Sequence, residues 1–315
     1  MNKFILVVLI SAISFGCKKS TDPIPPPTVT PTWKQSSGTV GLNIQCLLSS
    51  GNYNYAGGAT GAYMSTNKGE SFTLSNTGND AVGPTRGFAK DNSFVYTCTS
   101  QGVFRSDNNG ASWVSKSNGL TSLLTSGIIN VGANLFVVGV NGVFKSADQG
   151  GSWSVAGLQG TDVRCITALQ NTLFVGTNGL GIYKSTDMGA TWTSANNGSS
   201  STNFRAMETR GTTLFAGGQI GTGVFRSTDA GQNWTLLSGG LPGGSYRGFA
   251  QNINIIVAGS FGGGVFYSKN NGDIWTALND GLADLTIFDL EINDTNILAA
   301  TNQGGVYKYA LVDLK

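Results

Sequence analysis

The 315-residue chain contains no histidine, and this absence excludes several kinds of chemistry. A Ser-His-Asp triad and a Cys-His pair both need an imidazole as the general base, and most zinc sites use histidine as a ligand. Charged residues make up only 11% of the sequence, too few for the exposed faces of a helical bundle or a coiled coil. The net charge of +2 does not indicate a nucleic-acid partner. Nothing in the sequence indicates a metal or a cofactor either.

Glycine is abundant instead, with 46 residues, and short apolar runs alternate with segments rich in Gly, Ser, Thr and Asn. Hydrophobic residues make up 40% of the chain, which is enough to form a core. Runs such as LFVVG from Leu135 and LFVG from Leu173 are continuously apolar, and Gly or Asn residues bound them. This pattern is typical of strands that are buried on both faces and joined by turns. The predicted fold class is all-β.

The first residues have the features of a targeting segment. Residues 4–15 form an apolar run that is shorter than the roughly 20 residues of a membrane-spanning helix and suits a signal peptide. The Gly16-Cys17 pair that follows resembles the processing site of a bacterial lipoprotein, in which the cysteine is lipidated and becomes the new N-terminus. The resemblance implies a signal peptide over residues 1–16 and a lipid anchor at Cys17. An ordinary secretory signal with an incidental cysteine is the alternative.

Residues 17–31 are expected to form a tether behind the anchored cysteine. Five of the seven prolines lie between residues 21 and 32, and Pro-rich chain is extended and semi-rigid. The expected location is therefore the cell envelope, with the protein anchored to the outer membrane on its periplasmic or its external side. Without the lipid, the protein would be secreted.

The remaining cysteines, Cys46, Cys98 and Cys165, lie inside apolar runs. Their odd number and irregular spacing do not indicate a disulfide framework, even in an oxidising compartment. We expect them to be small buried residues.

The chain beyond the tether consists of seven repeats. Each repeat contains a segment of the type Gly-Val-Phe-Lys-Ser, and these segments begin at Gly61, Gly102, Gly142, Gly181, Gly223, Gly264 and Gly305. Successive segments start 39 to 42 residues apart. A period near 40 residues suits a unit of four short strands and their turns, which is the size of a propeller blade.

The tryptophans indicate how the repeats close into a ring. All six share one repeat position, where Phe72 stands in the first full unit: Trp33, Trp113, Trp153, Trp192, Trp234 and Trp275. No unit precedes Trp33, and the last unit stops after its third strand. The strand at Trp33 therefore completes the seventh blade, which leaves no open sheet edge. The sequence predicts a seven-bladed β-propeller over residues 32–315, closed by pairing of its N- and C-terminal strands.

The turn after the third strand has the pattern Ser-x-Asp/Asn-x-Gly-x-x-Trp. It resembles the Asp-box of sialidases, sortilin-like receptors, oligoxyloglucan hydrolases and the photosystem II assembly-factor-like family. The Asp or Asn oxygen is expected to accept hydrogen bonds from its own turn. Half of the copies carry an amide, which cannot act as an acid, so we interpret the whole set as structural: Asn67, Asn108, Asp148, Asp187, Asp229 and Asn270.

Four of the seven arginines occupy another shared repeat position, 16 to 18 residues before their unit's glycine: Arg86, Arg164, Arg205 and Arg247. This position is the start of the first strand, which the resemblance places at the mouth of the central channel. One hypothesis is that they form a patch that binds an anion, because guanidinium groups repel one another without one. The alternative is that they pair with nearby acids, for which the candidates are Asp162, Glu208, Asp289 and Glu291.

The photosystem II assembly-factor-like proteins are the nearest group in size, since they too are single seven-bladed propellers. The resemblance implies a non-catalytic, lipid-anchored binding or scaffold protein that holds a protein or an anionic or glycan ligand at the channel mouth. We expect a monomer. An adhesin or carbohydrate-binding module that uses exposed aromatics such as Phe261 is a further possibility.

A sialidase-like glycoside hydrolase is the enzymatic alternative. The resemblance would then assign Tyr246 as nucleophile, Glu208 as its activator and Asp162 as acid/base, with an arginine clamp for the sugar carboxylate. The Arg-Ile-Pro element of that family is absent, and the connections between strands are short. An oligoxyloglucan hydrolase would need two propellers, and this chain contains one.

Overall fold

A computed structural model describes residues 31–76, 83–219 and 221–314. In these ranges the chain forms 28 strands and one short 3-10 helix, Leu311–Asp313. The strands form seven antiparallel four-stranded sheets, which are the blades of a β-propeller. Residues 1–30, which include Cys17, the predicted signal peptide and nearly all of the tether, lie outside the described residues. No helix in the described ranges is long and apolar enough to cross a membrane.

The strands fall into four classes by their position in the blade. The first strands of blades 1 to 7 are β2 (Ile44–Ser50), β6 (Thr85–Lys90), β10 (Thr125–Val131), β14 (Val163–Leu169), β18 (Phe204–Arg210), β22 (Tyr246–Gln251) and β26 (Ile287–Ile292). The second strands are β3 (Tyr53–Gly58), β7 (Val95–Thr99), β11 (Asn134–Gly139), β15 (Thr172–Thr177), β19 (Thr213–Gly218), β23 (Ile256–Ser260) and β27 (Asn296–Thr301). The third strands are β4 (Gly61–Ser65), β8 (Gly102–Ser106), β12 (Gly142–Ser146), β16 (Ile182–Ser185), β20 (Val224–Ser227), β24 (Gly264–Ser268) and β28 (Val306–Ala310). The fourth strands are β5 (Thr73–Leu74), β9 (Val114–Ser115), β13 (Ser154–Val155), β17 (Thr193–Ser194), β21 (Thr235–Leu237), β25 (Thr276–Ala277) and β1 (Lys34–Gln35).

The first strands form the inner wall of the ring. Each one contacts the first strand of the blade on either side, and β26 of blade 7 contacts β2 of blade 1. The second strands are almost wholly buried, because neighbouring blades cover both of their faces. The fourth strands are two or three residues long and mostly exposed at the outer edge. Short outer strands leave little unpaired edge for association with another sheet.

The N-terminal strand closes the ring, as the sequence predicts. Strand β1 pairs antiparallel with β28, with Lys34 opposite Lys308 and Gln35 opposite Tyr307. Blade 7 therefore has the order β1-β28-β27-β26, and its outermost strand comes from the other end of the domain. The prediction of an all-β, seven-bladed propeller closed by its two ends is confirmed.

The repeated tryptophan links each blade to the one before it. The Trp113 indole Nε1 donates to the carbonyl of Ser75 at 2.8 Å, and that of Trp153 donates to Lys116 at 2.7 Å. The indoles of Trp192, Trp234 and Trp33 make the same bond to the preceding blade. Trp275 is the exception, because its indole bonds to Gly272 in its own turn. The backbone N–H of Trp33 also donates to Asp280 of blade 6, at 2.8 Å.

The turn between the third and fourth strands has the same hydrogen bonds in each of its six copies, of which five carry the tryptophan and the first carries Phe72. In blade 3, the Ser146 hydroxyl donates to Asp148 Oδ1 at 2.7 Å and accepts from the Gly150 N–H at 2.8 Å. The Ser152 N–H donates to the same Oδ1 at 2.8 Å. In blade 2, Asn108 accepts both equivalent bonds, so the turn needs an acceptor oxygen and no charge. Since these bonds occupy the side chains, we assign the turns a structural role.

The three cysteines of the described chain are buried free thiols, as expected: Cys46, Cys98 and Cys165. Burial raises the pKa of each, to about 12 for Cys98 and Cys165. They are therefore protonated and unreactive at neutral pH.

The closure of the ring can be tested at Trp33, which is buried and bonds to blade 6 through its backbone and its indole. We expect Trp33→Ala to lower the free energy of unfolding by about 3–5 kcal/mol, because it removes a buried ring and a hydrogen bond. Trp33→Phe keeps most of the apolar surface and should cost about 1–2 kcal/mol. Urea denaturation measures both, with the exposed Val155→Ala as control. A Trp33→Ala protein as stable as wild type would contradict closure by this strand.

Candidate functional site

The first strands surround a central cavity of about 410 Å³, to which all seven blades contribute. Its mouth is on the face where the first strands begin. The turns that carry the tryptophans are on the opposite face, because the strands of each blade alternate in direction. The short second-to-third connections share the mouth face with the loops that lead into the first strands.

Every first strand has a β-bulge at its second residue. In each blade the register with the second strand skips this residue, for example between Phe204 and Ala206. A bulge leaves one extra residue unpaired and re-aims its side chain. The seven bulge residues all line the cavity: Gln45, Arg86, Ser126, Arg164, Arg205, Arg247 and Phe288. The structure thus brings together the four arginines that the sequence analysis selected.

The arginines differ in whether they have an acidic partner. Arg164 forms an ion pair with Asp162, whose Oδ2 also accepts a hydrogen bond from Asn178 at 3.0 Å. Arg205 and Arg247 form no ion pair within the described residues, and neither do Glu208, Asp289 or Glu291. The Nε atoms of Arg164, Arg205 and Arg247 are all buried and have no hydrogen-bond partner in the described part of the chain, and neither has Asp162 Oδ1.

Arg247 is held by two aromatic rings at the mouth. Its guanidinium carbon lies 3.7 Å from the centroid of Phe261 and 5.3 Å from that of Phe288. The two rings contact each other edge to face, with centroids 5.8 Å apart. This stacking orients the guanidinium and leaves its N–H edge free, because the contact uses the face of the group.

The arginines are close enough to repel one another. Burial lowers the pKa of Arg205, and the nearby charge of Arg164 lowers it further. Burial and the charge of Arg205 lower the pKa of Arg247 to about 10. Both side chains remain charged at neutral pH. The mouth is therefore a concentration of positive charge with free donors, which favours an anion.

Directly beyond the bulges neighbouring first strands approach closely, and this level is here called the constriction. The next residue is small in six blades: Cys46, Gly87, Gly127, Cys165, Ala206 and Gly248. A Cβ atom on Gly248 would come within 2.5 Å of the Asp289 Cα in blade 7. The first strands approach so closely here that a larger side chain at Gly248 would collide with the neighbouring backbone.

Three carboxyl groups lie at and below this constriction. Asp289 is the seventh residue of the narrow level, and Glu208 and Glu291 are two positions further along their strands, about 7 Å deeper. Each of these three side chains is partly exposed to the channel and is otherwise enclosed by protein. Burial raises the pKa of Glu208 and of Asp289 to about 7, and burial together with Asp289 raises that of Glu291. Asp289 accepts hydrogen bonds from the Leu47 and Leu290 N–H groups.

The aspartates of the turns lie on the face away from the channel. Hydrogen bonds from Ser152 hold the pKa of Asp148 at about 2, and equivalent bonds do the same for Asp187 and Asp229. These carboxylates are thus ionised and occupied by their own turns. No group of three or more Cys, Asp and Glu side chains in the described ranges is arranged to hold a metal ion.

Tyr246, the candidate nucleophile of the sialidase alternative, does not reach the cavity. Its side chain is fully buried between blades 5 and 6, and its hydroxyl donates to the Pro242 carbonyl at 2.9 Å. Burial raises its pKa, so the phenolate is disfavoured. Of the other two candidates, Glu208 lines the channel, and Asp162 is paired with Arg164 near the mouth. The structure does not bring the three together.

Phe288, Gln45 and Ser126 are not among the residues predicted from the sequence. These three residues complete the bulge ring and make the mouth asymmetric. They precede their unit's glycine by 16 or 17 residues, as the arginines do, so the spacing was a usable signal. The stacking of Arg247 on Phe261 and Phe288 had no such signal, because it joins two blades.

Comparison with known proteins supports the fold. Residues 127–254, less than half of the chain, match the family model of the DUF6242 beta propeller domain. No curated protein sequence matches the chain. The extracellular domain of a putative one component system from B. thetaiotaomicron has a similar structure, with a TM-score of 0.73 and 14% identity. That match covers 90% of this chain and 40% of the other, so this chain spans less than half its length.

Two further solved structures are also similar. YCF48 bound to D1 peptide has a TM-score of 0.67 and 14% identity, and the match covers 91% of this chain and 99% of that one. A GH74 xyloglucanase from Xanthomonas campestris has a TM-score of 0.70 and 16% identity, with 90% of this chain and 54% of that one covered. At these identities the likeness establishes only the propeller fold. The similar structures include a peptide-bound protein and a glycosidase.

The raised pKa of Glu208 predicts a pH dependence of stability. The folded state holds the Glu208 proton more tightly than the unfolded state, so stability falls as the pH rises from about 4.5 to about 7. We expect wild type to unfold more easily at pH 8 than at pH 5, with a contribution from Glu208 on the order of 3 kcal/mol. Glu208→Gln should reduce this difference, as measured by urea denaturation at both pH values. Asp107→Asn, which removes an exposed carboxyl, is the control; equal pH slopes for wild type and Glu208→Gln would contradict the assignment.

Proposed function

We propose that this chain is a non-catalytic binding and scaffold protein of the cell envelope that holds an anionic group of a partner at its channel mouth. The observation that carries this proposal is the convergence of Arg205 and Arg247, beside Arg164 and Arg86, with no acid paired to either of the first two in the described chain. The proposed partner is a protein or an anionic glycan, and no cofactor is needed.

The physical argument rests on the energetics of half-buried charge. Taking a guanidinium out of water costs free energy unless its donors are paired, and nearby guanidinium groups add repulsion. A carboxylate or phosphate accepts two hydrogen bonds from one guanidinium and relieves both penalties. The three carboxyls of the channel form no ion pair with the arginines in the described chain, so we propose that the anion comes from a partner.

The proposed cell-envelope location combines the sequence of residues 1–31 with the topology. We propose a signal peptide over residues 1–16, lipidation of Cys17 and a tether over residues 17–31. The chain enters the ring at Trp33, on the turn face, because β1 runs from that face towards the mouth. The extracellular location of the Bacteroides neighbour is compatible with a cell-envelope location.

A protein partner is favoured over a glycan by one comparison. YCF48, a propeller of the same length class, is described in complex with a peptide. A monomeric propeller of this kind has one mouth and thus one site for such a segment. We propose the assembly-factor-like role on this basis.

The glycosidase alternative has less support. It is represented among the neighbours by the GH74 enzyme, of which this chain covers about half. The buried hydroxyl of Tyr246 is already bonded to Pro242, and Asp162 is already paired with Arg164. Neither group is free to act on a sugar in the channel.

Anion binding can be measured by calorimetric titration with citrate at low ionic strength. We expect Arg205→Ala and Arg247→Ala each to weaken citrate binding by about tenfold or more, because each removes a charge-assisted hydrogen bond. Arg205→Ala should be at least as stable as wild type, since it loses no acidic partner, whereas Arg247→Ala also loses its stacking on Phe261, which is worth about 0.5–2 kcal/mol. The control is Arg105→Ala, whose guanidinium stacks on Phe94 away from the channel. Loss of stability with unchanged citrate affinity would contradict the proposal.

The enzymatic alternative has its own test. We expect purified protein to release no fluorophore from a fluorogenic sialoside, because no tyrosine nucleophile reaches the channel. If the fluorophore is released, and both Glu208→Gln and Tyr246→Phe abolish its release, the protein is a sialidase and the non-catalytic assignment is wrong.

A further inference from the structure

Besides Val40 and Leu180, which are 60% and 52% exposed, the mouth face carries two sets of exposed apolar side chains that are joined by backbone hydrogen bonds. The first set, here called the blade 3 patch, contains Leu123, Leu124 and Val140, which are 47%, 52% and 39% exposed. The second, here called the blade 6/7 patch, contains Phe261 and Leu285, which are 44% and 39% exposed. Each exposed residue lies in a loop that precedes a first strand or joins a second strand to a third.

Backbone hydrogen bonds hold the residues of each patch together. The Val140 N–H donates to the Leu124 carbonyl at 3.3 Å, which joins the two loops of blade 3. The Gly262 and Gly264 N–H groups both donate to the Leu285 carbonyl, at 3.1 and 2.9 Å, and join blade 6 to blade 7. The apolar groups are therefore presented by ordered backbone. Ordered apolar groups bind a partner without a large entropy cost.

The two patches lie on opposite sides of the channel. In a ring of seven blades, blade 3 faces the junction of blades 6 and 7. The line between the patches crosses the arginines: Arg86 and Arg164 flank blade 3, Arg205 follows, and Arg247 stacks on Phe261 of the other patch. Along this line the surface is apolar at one end, cationic in the middle and apolar at the other end.

From this order we propose that the mouth binds an extended polypeptide segment with acidic residues at its centre and apolar side chains on both flanks. The inference rests on the proposed function, since the central acids would occupy the arginine site. The flanking apolar residues would cover the two patches. Charge complementarity favours acidic residues at the centre of the segment, and burial of the exposed leucine and valine side chains favours apolar residues at its ends.

Other occupants fit the surface less well. A sugar chain stacks on aromatic faces, whereas the blade 3 patch is entirely aliphatic and Arg247 already covers one face of Phe261. A flat lipid surface does not reach Arg205 and Arg247, which are half-buried in the channel wall. A flexible segment can enter the mouth and contact both the half-buried arginines and the exposed apolar patches.

The experiment compares two synthetic peptides that share a Glu-Glu centre, one with Leu-Val at each end and one with Ser-Ser at each end. We expect the apolar-flanked peptide to bind wild type about tenfold or more tightly, as measured by fluorescence anisotropy. The double variant Leu124→Ser, Val140→Ser should reduce this advantage, because it removes one of the two patches, and should leave citrate binding unchanged. Leu74→Ser, which removes an exposed leucine from the outer strand β5, is the matched control and should have no effect.

Several outcomes would overturn the inference. Equal affinity for the two peptides would show that the patches take no part in binding, and no effect of the double variant would show that the blade 3 patch takes no part. Binding of oligogalacturonate or of anionic vesicles in a manner that needs Arg205, with no binding of either peptide, would assign a different partner. In each of these cases citrate binding still depends on the arginines, so the proposed function stands. Loss of that dependence would instead show that the proposed function itself is wrong.

Discussion

The contact of each repeat with its predecessor is the constraint on which the rest of the structure depends. A single four-stranded blade cannot bury its apolar faces, and it becomes stable only when neighbours cover them. The tryptophan at the turn bonds to the preceding blade in five of the six copies. Because these links fix the rotation between blades, they also fix how closely the first strands approach one another around the channel.

That close approach explains the character of the site. Small residues such as Gly248 are needed where the strands converge, and the bulge just before them directs one side chain per blade to the mouth. Symmetry of the backbone therefore supplies seven equivalent positions. Divergence of the repeats has placed arginine at four of them and Phe288 at a fifth, so a symmetric scaffold presents an asymmetric, cationic surface.

Charge is also separated along the channel axis. The arginines lie at the mouth, and Glu208, Asp289 and Glu291 lie at or below the constriction, out of reach of an ion pair. Burial raises the pKa of the acids, and no ion pair joins them to the arginines in the described chain. The donors of Arg205 and Arg247 are therefore left without an acidic partner.

The sequence by itself determined the number of blades, the closing strand, the structural turns and the shared position of the arginines. All of these follow from a repeat of near-constant length, in which equal positions must take equal places. Only the tertiary structure decided that Arg164 is paired while Arg205 is not, that Tyr246 is turned into the core, and that Arg247 stacks on Phe261. These outcomes depend on distances of a few ångströms between different blades and on the directions of individual side chains, and no repeat pattern encodes such distances.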